Sequence, residues 1–401
     1  MAALDFDAIV VGGGVAGAAC AALLARQNQR VALVDTRRPR FTPAPHTFDA
    51  RVVAISPGSQ RVLAAAGAWE RVCQRRLAPY RSMQVHAGSL SVRFEAADHG
   101  LPELGWIAEI PALEEALWQA LENLDQVDLF APAEWERADL GSETVRLGLA
   151  DGRTLRAAVL VAADGARSRL RRLAGLETDE WHYNQRALVG PVQTEKPNPG
   201  LAWQRFTEHG PLALLPLPDG SSSIVWSQFS ERCESLKTVN KAEFLDDINH
   251  HQDGPLGAII EVGERHTLPL VRRRARRLVQ NRLVLLGDAA RSVHPLAGQG
   301  LNLGLMDAAA LAEVLHHGDA AELASSLRQY QRWRLSSSTL VGGGIHAINE
   351  LVRSPGGLGR HALGAGFGLA SRLWPVREAF VQRACGIDSD SPQIARNGPI
   401  A

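Results

Sequence analysis

Cys20, Cys73, Cys233 and Cys385 are the only cysteines in 401 residues, and they form no C-x-x-C pair. That spacing argues against a disulfide framework or a cysteine metal cluster, so no metal is expected and a reducing, cytoplasmic setting fits best. Charge of one sign is lacking too. With 43 basic against 43 acidic side chains, bulk electrostatics does not nominate nucleic acid as a partner. No apolar run reaches the ~18 residues that span a bilayer. The opening MAALDFDAIVVGGG carries Asp5 and Asp7 rather than a basic region, and reads as a first strand instead of a signal peptide. Internal repeats are absent. What remains is an ordinary globular composition, 45% hydrophobic and 21% charged, in a chain long enough for two domains.

The order of elements gives the organisation. A strand at 8–11, a glycine-rich turn, a helix at 15–26 and a strand at 31–34 make a βαβ unit. Apolar residues then thin out and alternate over 80–95, which suggests short antiparallel strands. Helical spacing returns at 110–124, and a strand at 157–162 leads into ADGARSRLRR. The stretch 186–229 is β-rich, with LPDGSSSIVW as a hairpin turning at Asp219–Gly220. Strand and helix return over 283–315. This pattern predicts an α/β protein with a discontinuous Rossmann-like nucleotide-binding domain (1–79, 105–180 and 271–330). A β-rich substrate domain (80–104 and 181–270) interrupts it, and a helical C-terminal region (331–401) ends in a tail expected to be disordered after Ile387.

Three sites ask for one dinucleotide. Gly12-Gly13-Gly14-Val15-Ala16-Gly17 is G-x-G-x-x-G between a strand and a helix. Its glycines allow the tight turn, the approach of a pyrophosphate and close helix packing, and the helix N-terminus faces the phosphates with unpaired amides. Asp35 ends the second strand, where an acid accepts ribose hydroxyls. A glycine-rich turn beside a solvated Asp is the bland alternative, and it leaves the spacing unexplained. NAD and FAD share this first site. In LLGDAARSVHPLAGQGLNLG, however, a second acid, Asp288, follows Gly287 at a strand end, and Gly298-Gln299-Gly300 opens a helix. A ribityl chain offers hydroxyls to Asp288, and a reduced flavin places negative charge where helix amides stabilise it, so FAD is expected. An ordinary turn is the alternative. Asp164-Gly165, with Ser168 and Arg171 following, is a candidate tie to the pyrophosphate region, and Arg51 is a further candidate to approach the cofactor.

These residues resemble the flavin-dependent aromatic monooxygenases of the para-hydroxybenzoate hydroxylase type, and within them the ubiquinone biosynthesis hydroxylase family. The resemblance runs through GGGVAGAACAALLA, DARVVAISPGS, LGWIAE, ADGARS, WQRFTEHGPLALLPL and GDAARSVHPLAGQGLNLG. It implies that Gly12, Gly14, Asp35, Arg37 and Arg51 hold the ADP half of FAD and its linkage, that Asp164 lies near the pyrophosphate and that Asp288 lies on the ribityl chain. Pro295, Gly298, Gln299, Gly300, Leu301 and Asn302 would face the isoalloxazine. The implied reaction is reduction of FAD by NAD(P)H or a reductase, reaction with O2 to a C4a-hydroperoxide, and hydroxylation of a polyprenylated phenol, at C5 with C6 next. The chain departs from the family at Arg291 (often His), His294-Pro295 (often Asn-Pro), Ile110 (often Asn) and Asp35 (usually Glu).

His294 beside Pro295 is a candidate to deprotonate or orient the phenol, against the reading of a loop histidine bonded to backbone. Gln204, Phe206, Leu215 and Trp226 are candidates to line the substrate site, and each fits sheet core equally. An insoluble tail must be met at a membrane surface, taken from a lipid carrier or handed over within a multiprotein assembly. The arginines of VRRRARRLVQNR suit a peripheral site at the inner face of a membrane, or a solvated face. A flavin hydroxylase of a soluble phenol and a non-catalytic flavoprotein subunit are the competing readings.

Overall fold

Val31–Val34 (VALV) and Leu283–Leu285 (LVL) are apolar and buried at every position, as suits strands covered on both faces. They lie in a parallel core running Val127–Phe130, Val31–Val34, Phe6–Val11, Thr154–Ala162 and Leu283–Leu285. Antiparallel strands Trp135–Leu140, Val145–Leu149 and Val279–Gln280 extend it. This computed structural model describes residues 4–43, 47–88, 90–293, 299–315, 320–352 and 374–397. The helix Val15–Ala25 is buried at every position except Ala16, because it packs between the helices Ile110–Leu121 and Gln299–Val314. Its small, uniformly apolar sequence suits that central place.

The second sheet is mostly antiparallel. Its strands run Arg291–Ser292, His266–Ala275, Thr178–Thr194, Ser222–Phe229, Pro211–Pro216, Leu201–Phe206, Ser82–Ala87 and Leu90–Glu95, with Ile259–Val262 beside Thr178–Thr194. The hairpin between 211–216 and 222–229 turns where Asp219–Gly220 is expected. Alternation divides the two faces. Leu188, Leu212, Leu214, Ile224 and Trp226 point into a core closed by the helices Ser230–Thr238 and Lys241–His251. The intervening residues face the cleft described below.

Three expected boundaries move. Thr178 already pairs with Ala275, so the β-rich sheet begins before 181 and continues past 270. The sequence TDEWH hides this strand because its stability comes from cross-strand charge pairs, Arg273 with Glu180 at 2.8 Å and Arg276 with Asp179 at 2.8 Å, rather than from apolar alternation. The helix Ala320–Val352 also runs straight across the boundary at 330. The tail is corrected as well. Residues 393–397 form a helix with Ile394 and Ala395 buried, and the Arg61 guanidinium donates to the carbonyls of Ala395 and Arg396. Two apolar residues are too few to show as a period, so sequence alone reads this docking as disorder.

Candidate functional site

The glycine turn is built by close approach. Gly12 has φ +104°, and a Cβ there would stand 2.3 Å from the Ala163 carbonyl oxygen. At Gly17 a Cβ would meet the Gly12 oxygen at 2.0 Å, so the helix packs on the turn only without a side chain. Gly14 differs: the nearest atom to its Cβ position is Glu114 Oε1 at 3.9 Å, which leaves space beside the N-terminus of Val15–Ala25. No side chain caps that helix. Open space beside uncapped amides is what a pyrophosphate requires.

Asp35, expected as a ribose acceptor, is bonded within the chain as well. Its Oδ2 accepts the Gly13 N–H at 2.6 Å and its Oδ1 accepts the Arg37 N–H at 2.9 Å, so the carboxylate pins the glycine turn to the end of Val31–Val34. Arg37 in turn donates to Glu114 at 2.8 Å. Arg51 faces the cleft, half exposed, with Asp49 Oδ1 3.4 Å from its Nε. Asp164 caps the helix Arg169–Leu173 through Oδ2, accepting from Arg169 and Leu170, while its buried Oδ1 has no partner. Gly165 lines the same wall. Arg171 donates to Ala289 O at 2.7 Å, so the Asp164-Gly165 loop is tied to the Gly287-Asp288 turn.

That turn rests on a residue the motifs do not reveal. Gly287, at φ +58°, donates its N–H to Asp307 Oδ2 at 3.1 Å. Asp307 is fully buried and its Oδ1 also accepts from Arg334 Nε at 2.7 Å and from Arg291. The departure at Arg291 is therefore half of a buried cation pair around one carboxylate. Asp307 was visible only as a lone acid inside the apolar run LNLGLMDAAALA. Asp288 itself is exposed on the cleft wall, where desolvation by the surrounding protein raises its carboxyl pKa and the charge of Arg291 opposes the rise.

These elements enclose a cleft of about 1210 Å³ that runs from Gly14 and Asp288 to the open face of the second sheet. Such a volume exceeds the ~300–1,000 Å³ of ordinary small-ligand pockets, which suits a dinucleotide plus a second molecule. Val15, Ala16, Gln299, Gly300 and Leu301 line it, but Asn302 does not: its amide accepts from Ser56 N at 3.0 Å and donates to Ala54 O at 2.9 Å. His294, Pro295 and Gly298 lie outside the described residues. Of the four substrate candidates, Gln204 and Leu215 line the cleft together with Ala213, Val225 and Ser227. Trp226 points to the opposite face, fully buried against Phe244, and Phe206 pairs with Pro211 and Ala87 at the strand end. The strand period is two, so sequence shows that two faces exist without showing which one is open.

Residues 5–339 match the family model described as an FAD binding domain. The chain is 36% identical over 341 residues to the 3-demethoxyubiquinol 3-hydroxylase of Escherichia coli, covering 84% of this chain and 87% of that one. It is 31% identical over 408 residues to the ubiquinone hydroxylase UbiL of Rhodospirillum rubrum, covering 98% and 93%. Among solved structures, PqsL of Pseudomonas aeruginosa, a probable FAD-dependent monooxygenase, superposes with a TM-score of 0.76 at 23% identity, covering 90% of this chain and 99% of that one.

Proposed function

Because the chain belongs to the ubiquinone biosynthesis hydroxylases, a family of FAD-dependent aromatic-ring monooxygenases, we propose that it adds one hydroxyl to the ring of a polyprenylated phenol in ubiquinone synthesis, at C5 in preference to C6. The observation that carries this reading is the cleft that joins open space at Gly14, beside an uncapped helix N-terminus, to an apolar sheet face at Ala213, Leu215 and Val225. Bound FAD, reduced by NAD(P)H or a reductase, supplies activated oxygen from O2.

The protein's own tasks follow from its residues. Gly14, Val15, Ala16 and Gly17 offer backbone amides to the pyrophosphate, and Gly12 sets the turn that aims them. Arg51 borders that end, and Arg37 adjoins it through its hydrogen bond to Glu114. Asp164 holds the loop whose Gly165 lines the cleft, by capping the helix Arg169–Leu173, and Asp288 accepts from ribityl hydroxyls. Gln299, Gly300 and Leu301 present a helix N-terminus to the ring system, where developing negative charge is stabilised. Gln204 orients the phenol, and the apolar wall around Leu215 excludes water. Hydroxylation at a membrane surface, or within an assembly that hands over the lipid, belongs to the same reading; among the described residues no helix is long and apolar enough to cross a membrane.

The test is incorporation of 18O from labelled O2 into a prenylated phenol by the FAD-loaded protein with NAD(P)H and a reductase. Labelled product with one added hydroxyl is expected, its position read by NMR. Flavin that cycles while all O2 returns as peroxide overturns the reading, and label entering only a simple phenol moves the substrate to the soluble class.

A further inference from the structure

Away from the glycine turn, the cleft ends among Met83, Phe94, Leu104, Phe380, Val381 and Ala384, all apolar. This end is closed by the helix Trp374–Cys385, which is latched onto the strand Leu90–Glu95 and the turn that follows it. Phe94 and Phe380 stack with ring centroids 5.8 Å apart and planes 28° from parallel. Arg377 lies over the Phe94 ring at 5.5 Å and reaches Asp98 at 3.0 Å, and His99 Nδ1 stands 2.6 Å from Glu378 Oε2. Outside the stack the surface stays apolar: Leu90 is 43% exposed, Val376 47% and Phe380 50%. Among the described residues, the cations Arg81, Arg93 and Arg377 beside it are each paired with an acid. The opposite end carries Arg51, Glu114 and Arg167, charges that a hydrocarbon would have to desolvate.

We propose that the hydrocarbon tail of the substrate leaves the cleft between the strand Leu90–Glu95 and the helix Trp374–Cys385, with Phe94 and Phe380 as the two walls of the exit. This rests on the reading of the substrate as a prenylated phenol. Two stacked rings that part around an isoprenoid chain exchange one apolar contact for another, so opening costs little once the tail is present. Paired charges above and below guide the helix back when the tail leaves. Exposed apolar side chains beside cations that already have acid partners suit a hydrocarbon better than an anionic headgroup.

The holoenzyme is assayed with a phenol bearing an isoprenoid tail and with the same ring lacking it. In parallel it is photolabelled with the tailed phenol carrying a diazirine at the far end of the tail. Phe380→Asp is expected to lower the ratio of kcat/KM for the tailed over the tail-less phenol at least tenfold. Phe94→Ser shifts the ratio the same way, and label is recovered in peptides spanning 90–95 and 376–384. Phe380 is half exposed, so its replacement is compatible with folding, and a merely structural lesion lowers both substrates together without moving the ratio. An unchanged ratio in both variants, or label confined to His266–Ala275 or to the neighbourhood of Arg51, overturns the exit. Failure of the wild-type protein to oxygenate either phenol overturns the proposed reaction separately, since label at Phe94 and Phe380 then still upholds the exit and label elsewhere still removes it.

Discussion

Single residues in this cleft trade stability for binding. Asp288 is the plainest case. Its pKa is raised in the folded chain, chiefly by desolvation, so the folded state holds its proton more tightly than the unfolded state. Stability from this group is therefore complete below about pH 4, where the unfolded carboxyl also protonates, and is lost as pH rises toward the folded value. Asp288→Asn removes that loss. The apoprotein variant should melt higher than wild type at pH 7, with the difference closing below pH 4, while its affinity for FAD falls; equal melting at pH 7 contradicts the argument. Gly14 gives the complementary case. Its φ of −65° suits any residue and a Cβ would meet nothing closer than 3.9 Å. Gly14→Ala should thus unfold within about 0.5 kcal/mol of wild type in urea. Its Cβ occupies the phosphate space, so the FAD dissociation constant should rise at least tenfold, about 1.4 kcal/mol. Gly12, with positive φ and backbone at 2.3 Å, has no such freedom.

Elements differ in how far sequence reveals them, and the difference is physical. The glycine turn is legible because the residues that answer its steric demands stand within six consecutive positions, even though the Ala163 backbone that crowds Gly12 is distant in sequence. Asp35 was legible as an important acid, yet its service as a clamp on Gly13 was not, because both uses ask for the same residue at the same strand end. Asn302 falls in the motif expected at the flavin, while its amide instead holds the segment 54–56. Trp226 and Leu215 carry the same apolar signal, and only the position of the covering helices decides which one meets a ligand. The helix Trp374–Cys385 had no signal tying it to the cleft, since its partners Phe94, Asp98 and His99 lie some 280 residues away in sequence. Its attachment is testable. Glu378 has a lowered pKa, mainly through its hydrogen bond with His99, so the latch is present above the ordinary carboxylate range and is lost as pH falls through the depressed value. Glu378→Gln should speed hydrogen exchange in 374–385 at neutral pH. Global stability should change by no more than about 1 kcal/mol, as for the loss of one hydrogen bond. Exchange confined to the wild-type rate would show that the helix is held by its apolar face alone.

At the scale of the molecule, the α/β architecture is readable because buried parallel strands and amphipathic alternation have different periods, while the seam between them is not. Strands such as Thr178–Thr194 and His266–Ala275 cross it by pairing charges, and Arg273, Arg274 and Arg276 of VRRRARR make these ion pairs with Glu180 and Asp179 at the protein surface. The cleft sits on that seam, with one wall from the glycine turn and the Gly287-Asp288 turn and the other from the nine-stranded sheet. A ligand that spans it stabilises both walls, whereas a ligand that fills only the phosphate end stabilises one. FAD at a hundred times its dissociation constant should therefore add about 2.7 kcal/mol to the unfolding free energy. It should also slow hydrogen exchange both at 12–18 and across 211–216 and 222–229. ADP at the same multiple of its own dissociation constant gives the same mass-action term, but its protection should stop at the glycine turn, because nothing in it reaches Ala213 or Val225. Protection of the sheet by ADP equal to that by FAD would mean that the two walls move as one rigid body and that the seam, rather than the ligand's length, governs the response.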